Sequence, residues 1–305
     1  DMSASLVGSE MCIRDRVIIM KTFNWGIIGT GWIAHDMADA LNKVNGEIYA
    51  AANPNEEALR AFVQEKHVQH AFTNPDEMIK DPSIDIIYIA TPHTFHYDYI
   101  KKALNAGKHV FCEKAITVNA RQFDEVAQLA KEKHLILMEG FTLYHMPIYQ
   151  KMQDMIKAGK FGEIKMIQIN FGSLKDYDPQ TGGDEESGII LKNSKGQMAV
   201  MSLSMRAKQP KRGLVSGTKG YFEINQYPRG TEADITYTQS AHEESYDKVT
   251  AGDADQALEY EVTDFQKYIE QGHDEGELEK SRMIAHILTS IRTAWGMTYP
   301  FDNEE

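Results

Sequence analysis

A pair of opposite charges follows a short apolar run in the first half of the chain. Glu113 and Lys114 come directly after Val110–Cys112, a run apolar enough to be a buried strand. A lysine amine at the end of such a strand can donate a hydrogen bond or a proton to a reacting oxygen. The alternative is a solvated loop with a surface ion pair, so the choice depends on what else lies nearby.

A glycine turn near residue 30 is the second feature with chemical meaning. Its pattern is Gly29-x-Gly31-x-x-Ala34, after an apolar run and before a run with helical spacing. The first glycine permits a tight turn, the second lets the backbone approach a pyrophosphate, and Ala34 allows close packing of helix on strand. The helix then begins at Trp32 and Ile33, where free N–H groups attract phosphate. The turn predicts contact between these residues and a dinucleotide, NAD or NADP.

The end of the second predicted strand bears on which dinucleotide is bound. An acid there favours NAD, and a nearby arginine accommodates the extra phosphate of NADP. This chain has Asn53-Pro54, which is neither. Asn53 could bind a ribose hydroxyl or simply begin a turn, and both interpretations stay open.

The residues at the ends of the later strands explain the opening charged pair. Ligands of doubly wound sheets bind outside the carboxyl ends of the strands, so Thr91, Pro92 and His93 should converge there with Glu113 and Lys114. Lys114 would then lie near the nicotinamide end of the cofactor, where it can stabilise or protonate an alkoxide as hydride moves.

A second histidine follows His93 at helical spacing. His93 and His96 stand three residues apart, but no third ligand has supporting spacing, so no metal is predicted. Cofactor contact or helix capping is the interpretation we prefer for both.

Strands and helices alternate strictly up to about residue 142, which predicts parallel βαβ units. We therefore expect a Rossmann-type doubly wound domain over residues 20–142. Residues 143–305 predict an α+β domain with a mostly antiparallel open sheet, including a hairpin turn at Asn193–Gly196. The first 19 residues are set aside as a non-native leader, because Leu6–Arg16 reads as a translated sequencing adapter. The fold class is thus α/β.

Composition excludes several kinds of partner. The 305-residue chain has a net charge of −13, which argues against nucleic acid and anionic membranes. No apolar run is long enough to span a membrane. Two cysteines give no disulfide framework, so a cytoplasmic setting is expected.

Several motifs together resemble the Gfo/Idh/MocA oxidoreductase family, closest to its dihydrodiol and sugar dehydrogenase branch. The motifs are "GIIGTGWIA", "IYIATPHTFH", "ALNAGKHVFCEKAITVN", "MEGFTLYHMP", "IKAGKFGEI" and "IRTAWGMTYPFD". The resemblance implies hydride transfer between NAD or NADP and a sugar, polyol or cyclic diol, usually in a homo-oligomer. Lys114 would be the catalytic lysine, with Glu113 beside the nicotinamide ribose. The implied cofactor contacts are Gly29, Gly31, Ile33, Thr91, Pro92 and His96.

The chain departs from the family pattern at three places. Ala115 replaces a proline, so we expect a trans Lys114–Ala115 bond, since a cis bond before alanine costs about 2.5–4 kcal/mol. Tyr144 and His145 stand where many relatives have Arg-Phe or Arg-His, and they predict a different substrate contact. A glycine-rich segment with its aspartate and histidine or tyrosine is missing between Gln180 and Thr181. We therefore expect weak or no turnover, and a non-catalytic dinucleotide-binding sensor is the alternative function.

Overall fold

Two sheets divide the chain, and helices link them. The computed structural model describes residues 22–44, 46–174, 185–299 and 302. The predicted leader and the Gln180–Thr181 junction both lie outside these described residues. Among the described helices, none is both long and apolar enough to cross a membrane.

The first sheet is parallel and has the strand order β3-β2-β1-β4-β5-β6. Its strands are β1 (Asn24–Ile28), β2 (Glu47–Ala52), β3 (His70–Phe72), β4 (Ile86–Ile89), β5 (His109–Cys112) and β6 (Leu137–Glu139). All four residues of β4 are buried, as expected for a central strand that is covered on both faces. This order confirms the predicted Rossmann sheet.

Helices cover both faces of the first sheet. They are α1 (Trp32–Lys43), α2 (Glu56–Lys66), α3 (Pro75–Ile79), α4 (His96–Asn105) and α5 (Ala120–Lys133), followed by the short α6 (Thr142–His145) and by α7 (Pro147–Lys157). Asn55, Asn74 and Asn119 accept a backbone N–H at the starts of α2, α3 and α5, as helix-capping residues do. These three helices therefore begin where a side-chain acceptor is available.

The second sheet has seven strands in the order β13-β12-β11-β10-β7-β9-β8. They are β7 (Ile164–Gly172), β8 (Glu186–Lys192), β9 (Met198–Ser204), β10 (Gln209–Gly217), β11 (Gly220–Asn225), β12 (Glu232–Ser240) and β13 (Glu243–Thr250). Only the β7–β9 pair is parallel. The predicted hairpin at Asn193–Gly196 is confirmed, since it joins β8 to β9 in antiparallel register.

The last two helices return to the first sheet. They are α8 (Ala257–Gln271) and α9 (Glu277–Ala294). Val262 and Phe265 of α8 join the core formed by α1 and the first sheet, and α9 packs on α5 and β6. The domain predicted over residues 143–305 is therefore spatially divided. Its sheet packs on α7. Its two terminal helices instead pack with their apolar faces against the first sheet and the helices α1 and α5.

Candidate active site

The glycine turn leaves a space that a phosphate group can enter. Gly29 follows β1 with φ +94°, and a Cβ there would lie 2.5 Å from the Ala90 carbonyl oxygen. A Cβ on Gly31 would meet nothing within 4 Å. The helix α1 then begins at Trp32 without a capping side chain or an acid in its first turn. Within the described chain, the Trp32 and Ile33 amides have no acceptor, so they can bind an anion.

The end of β2 is tied to this turn. The Asn53 side chain donates to the Thr30 hydroxyl at 2.6 Å and accepts the Asn55 N–H at 2.9 Å. The turn-forming role of Asn53 is thus present in the structure. Contact between Asn53 and a ribose stays a prediction.

Two histidines connect the loop after β4 to the loop after β5. His96 is fully buried, and its ring nitrogens lie 2.8 Å from the Thr91 carbonyl oxygen and 3.0 Å from that of Ala115. His93 is exposed, and its Nε2 lies 2.9 Å from the Lys114 carbonyl oxygen. Burial lowers the pKa of His96, although the carbonyls oppose this. His96 therefore positions backbone, while His93 and Pro92 remain at the surface of the cleft.

The charged pair lies at the carboxyl end of β5. Lys114 is exposed, and its amine has no hydrogen-bond partner among the described residues. The Lys114–Ala115 bond is cis, so the expectation of a trans bond is wrong. The Lys114 carbonyl accepts a hydrogen bond from His93, and the Ala115 carbonyl accepts one from His96. The next backbone N–H, that of Ile116, donates to Glu139. These contacts from neighbouring loops fix the segment, and a local preference at alanine could not reveal them.

Glu113 is held beneath the cleft by a buried tyrosine. The Tyr88 hydroxyl on β4 donates to Glu113 Oε1 at 2.8 Å. Burial raises the pKa of the Glu113 carboxyl, and the Tyr88 hydrogen bond and the Lys114 charge oppose this rise. Tyr88 is therefore a positioning residue that no sequence motif singled out.

A second carboxylate, Glu139, lies beside the first at the end of β6. Its Oε1 accepts the Ile116 N–H at 2.9 Å, and burial raises its pKa to about 7. Gly140 keeps this region open, because a Cβ there would lie 3.3 Å from Glu113 Oε1. The rule that pointed to Glu113, polar residues at the carboxyl ends of parallel strands, could also have found Glu139.

Tyr144 and His145 occupy different environments although they are adjacent. Tyr144 is half-buried, its ring packs against Phe141 at 5.5 Å, and burial and then the nearby Glu139 raise the pKa of its hydroxyl. His145 is buried, and its Nδ1 lies 2.8 Å from Asp264 Oδ2. The structure therefore brings Tyr144 towards the predicted site and directs His145 into the interior.

A cavity of about 310 Å³ lies between the two sheets next to this loop. Its walls include Ala115 and Glu139 from the first sheet's edge, Leu203 from the second sheet, and Trp295 after α9. No cluster of potential metal ligands occurs in the described parts of the chain. The arrangement combines a phosphate cradle, a free amine and an adjoining cavity, which defines a dinucleotide-binding protein.

A family model matches the part of the chain that forms the first sheet. Residues 23–141 match the family model described as "Oxidoreductase family, NAD-binding Rossmann fold". This part of the chain, which holds the first sheet, is therefore similar to the NAD-binding domain of the Gfo/Idh/MocA oxidoreductase family.

Two characterised relatives are similar to the chain. Trans-1,2-dihydrobenzene-1,2-diol dehydrogenase of Xenopus tropicalis is 25% identical over 329 residues, covering 90% of this chain and 99% of that protein. D-xylose 1-dehydrogenase (NADP(+)) of Hypocrea jecorina is 36% identical over 186 residues, covering 56% of this chain and 45% of that enzyme. The first alignment runs over more positions than this chain's 305 residues, so that relative has residues without a counterpart here.

Solved structures share the fold. Levoglucosan dehydrogenase in complex with NADH and L-sorbose has a TM-score of 0.82 at 17% identity, covering 91% of this chain and 98% of that one. A 3-ketoreductase from Actinomadura kijaniata with NADP and TDP-benzene has a TM-score of 0.75 at 20% identity, covering 90% and 98%. At this identity the likeness concerns the fold alone.

Proposed function

We propose that the chain is an NAD(P)-dependent oxidoreductase acting on a carbinol or carbonyl carbon of a sugar, polyol or cyclic diol. The observation that carries the proposal is the free amine of Lys114 at the sheet edge that also holds the glycine turn. The names of the relatives, which act on diols and sugars, support the substrate class.

The residues of the chain fit a dinucleotide. The open space at Gly31 and the free amides at the start of α1 suit a pyrophosphate. The bound nicotinamide supplies or accepts the hydride. Lys114 donates a proton to the substrate oxygen during reduction and takes it back during oxidation. Tyr88 holds Glu113, so that the carboxylate stays beside the lysine.

The experiment has two steps on the full chain. NADH and NADPH binding is measured by fluorescence, and sugars, polyols and cyclic diols are then screened for turnover in both directions. Binding with turnover that requires Lys114 supports the proposal. Failure to bind either dinucleotide would overturn it.

A non-catalytic dinucleotide sensor is the second candidate. The observation in its favour is that the diol dehydrogenase relative has residues without a counterpart in this chain. A chain that lacks part of its substrate pocket could bind the dinucleotide without turning over a substrate. A sensor would bind the dinucleotide with the same affinity but turn over none of the substrates tested. Robust turnover by the 305-residue chain would exclude the sensor and also the expectation of weak activity.

The assembly and location belong to the same proposal. We infer a homo-oligomer in the cytoplasm, without nucleic-acid or membrane partners. Ile190 on the edge strand β8 is 70% exposed, which supports a further contact surface on the second sheet. Analytical ultracentrifugation tests the oligomer, and a strictly monomeric chain at micromolar concentration would contradict it.

A further inference from the structure

A basic pocket opens on the second domain away from the glycine turn. It has a volume of about 590 Å³, and its cationic lining residues are Lys208, Lys211 and Arg229. Amide side chains, including that of Asn225, and the ring of Tyr227 complete its wall. The pocket thus combines three positive charges with neutral hydrogen-bonding groups and an aromatic ring.

The three cations lack the partners that neighbouring cations have. In the part of the chain that the structure describes, no carboxylate lies within 4.0 Å of the Lys208, Lys211 or Arg229 side chains. Arg212, one residue after Lys211, pairs with Glu223 at 3.5 Å. The whole chain carries a net charge of −13, so acids are plentiful elsewhere. An unpaired basic cluster in an acidic protein favours an anionic ligand.

Aromatic contacts fix the pocket in place. The Lys211 amine lies 4.7 Å from the centre of the Phe171 ring. Tyr227 packs edge-on against Phe171 at 6.2 Å and against Tyr149 of α7 at 6.4 Å. The loop that bears the exposed Arg229 is therefore anchored at Tyr227.

The pocket and the cavity lie at the same edge of the second sheet, because Gln209 of the pocket pairs with Gly172, which pairs with Ser204, next to the cavity residue Leu203. Burial is the largest influence on the Glu113 carboxyl and raises its pKa, and Arg229 is among the cations that oppose this rise. The Arg229 guanidinium therefore lies within electrostatic range of Glu113. Glu113 follows β5, whereas the adenosine ribose is read at the end of β2, three strands away or about 14 Å. Arg229 is thus placed for the substrate, not for the extra phosphate of NADP.

We propose that Lys208, Lys211 and Arg229 bind an anionic group of the substrate, which is therefore a sugar acid or a sugar phosphate. Carboxylate and phosphate share the geometry that an arginine fork and lysine ammonium groups recognise. The inference rests on the proposed function for its substrate, but anion binding by the pocket can be measured separately.

The first test compares matched substrates. D-glucose, D-glucuronate and glucose 6-phosphate are assayed with NAD and NADP in the wild-type chain and in Arg229→Gln. We expect a lower KM for one of the two anions than for glucose, and a loss of about tenfold in that preference in the variant. The anion that has the lower KM in the wild-type chain shows whether the pocket binds a carboxylate or a phosphate. Equal KM values for all three, unchanged in Arg229→Gln, would overturn the proposal.

The second test measures anion binding without turnover. Inorganic phosphate is titrated by calorimetry into the full chain saturated with NADPH, so that the glycine turn is occupied. We expect binding that weakens at high salt and falls about tenfold in Lys211→Gln/Arg229→Gln. Lys195→Gln in the β8–β9 turn removes one exposed charge elsewhere and should change nothing. Phosphate binding that is absent, or equal in both variants, contradicts the pocket.

The two proposals fail differently. A chain that binds no dinucleotide contradicts the proposed function, and phosphate is then titrated into the unsaturated chain with Gly31→Glu as background, which blocks the glycine turn. Loss of binding in the double variant on that background still supports the basic pocket. A chain that turns over neutral sugars but binds no phosphate supports the proposed function and overturns the pocket.

Discussion

At the scale of the residue, the site depends on one amine that the fold leaves free. Lys114→Met keeps the length of the side chain but removes the proton donor. We expect kcat to fall about 10²–10⁴-fold while NADPH affinity stays nearly unchanged, because the amine acts on the substrate oxygen. Steady-state kinetics and fluorescence titration measure the two quantities.

The matched control is Lys133→Met, an exposed lysine at the end of α5. It should leave both kcat and NADPH affinity unchanged. Equal activity in Lys114→Met and the wild type would show that the proton comes from another group.

The two glycines of the turn separate folding from binding. Gly29→Ala places a Cβ 2.5 Å from the Ala90 carbonyl oxygen at positive φ, so it should lower the free energy of unfolding by about 1–3 kcal/mol. Gly31→Ala has open space and an ordinary φ of −79°, so it should preserve stability but weaken NADPH binding. Urea unfolding and fluorescence titration test this contrast. A stable Gly29→Ala chain, or a Gly31→Ala chain with full affinity, would refute it.

Single residues also show where prediction from sequence stops. The positions of Glu113 and Lys114 follow from the strand ends, because parallel strands bring those ends to one edge. This rule does not predict which of Tyr144 and His145 is buried and which faces the cleft. Successive helical residues point about 100° apart, and only the packing of α6 on α8 decides which of them is buried.

At the scale of the element, α8 carries a buried acid that makes the stability of the fold depend on pH. Glu261 is 1% exposed, and burial raises the pKa of its carboxyl to about 7, opposed by His145. The folded chain therefore binds more protons than the unfolded chain between about pH 4.5 and 7. The contribution of this carboxyl to the free energy of unfolding is fully present below its unfolded pKa of 4.5. It is lost as the pH rises through the folded pKa of about 7, and the loss amounts to about 3 kcal/mol.

Glu261→Gln should make the pH dependence of unfolding shallower. Urea unfolding from pH 5 to pH 8 measures the slope, and part of it should remain because burial also raises the pKa of Glu139 to about 7. Glu132→Gln, on the exposed face of α5, is the control with the same charge change. An unchanged slope in Glu261→Gln would show that this carboxyl does not titrate in the window.

The elements themselves were largely predictable. Strict alternation of apolar strands and amphipathic helices predicted the parallel sheet, and turn residues predicted the β8–β9 hairpin. The short β3 and α3 were missed, because three to five residues carry too little periodicity. The apolar face of α8 was visible in the sequence, but its partner was not, since a pattern shows which face is buried and not what covers it.

At the scale of the whole molecule, α8 packs against both cores, since Ala257 lies in the core of the second sheet and Phe265 in that of the first. Phe265 is fully buried and lies 5.8 Å from the Trp25 ring and 5.3 Å from the Phe111 ring. Phe265→Ala leaves a cavity in the core of the first sheet from a position late in the sequence. We expect the free energy of unfolding to fall by about 3–5 kcal/mol.

The same variant tests whether the division at residue 142 is a boundary of stability. If α8 belongs to the first core, Phe265→Ala should shift the unfolding followed by fluorescence of the buried Trp25, and weaken NADPH binding at temperatures near the transition. Tyr246→Ala, on β13 with the side chain 75% exposed, should change stability by less than about 0.5 kcal/mol. Equal stability of the two variants would mean that the first sheet folds without help from α8. Residues 20–142 would then be an independent domain.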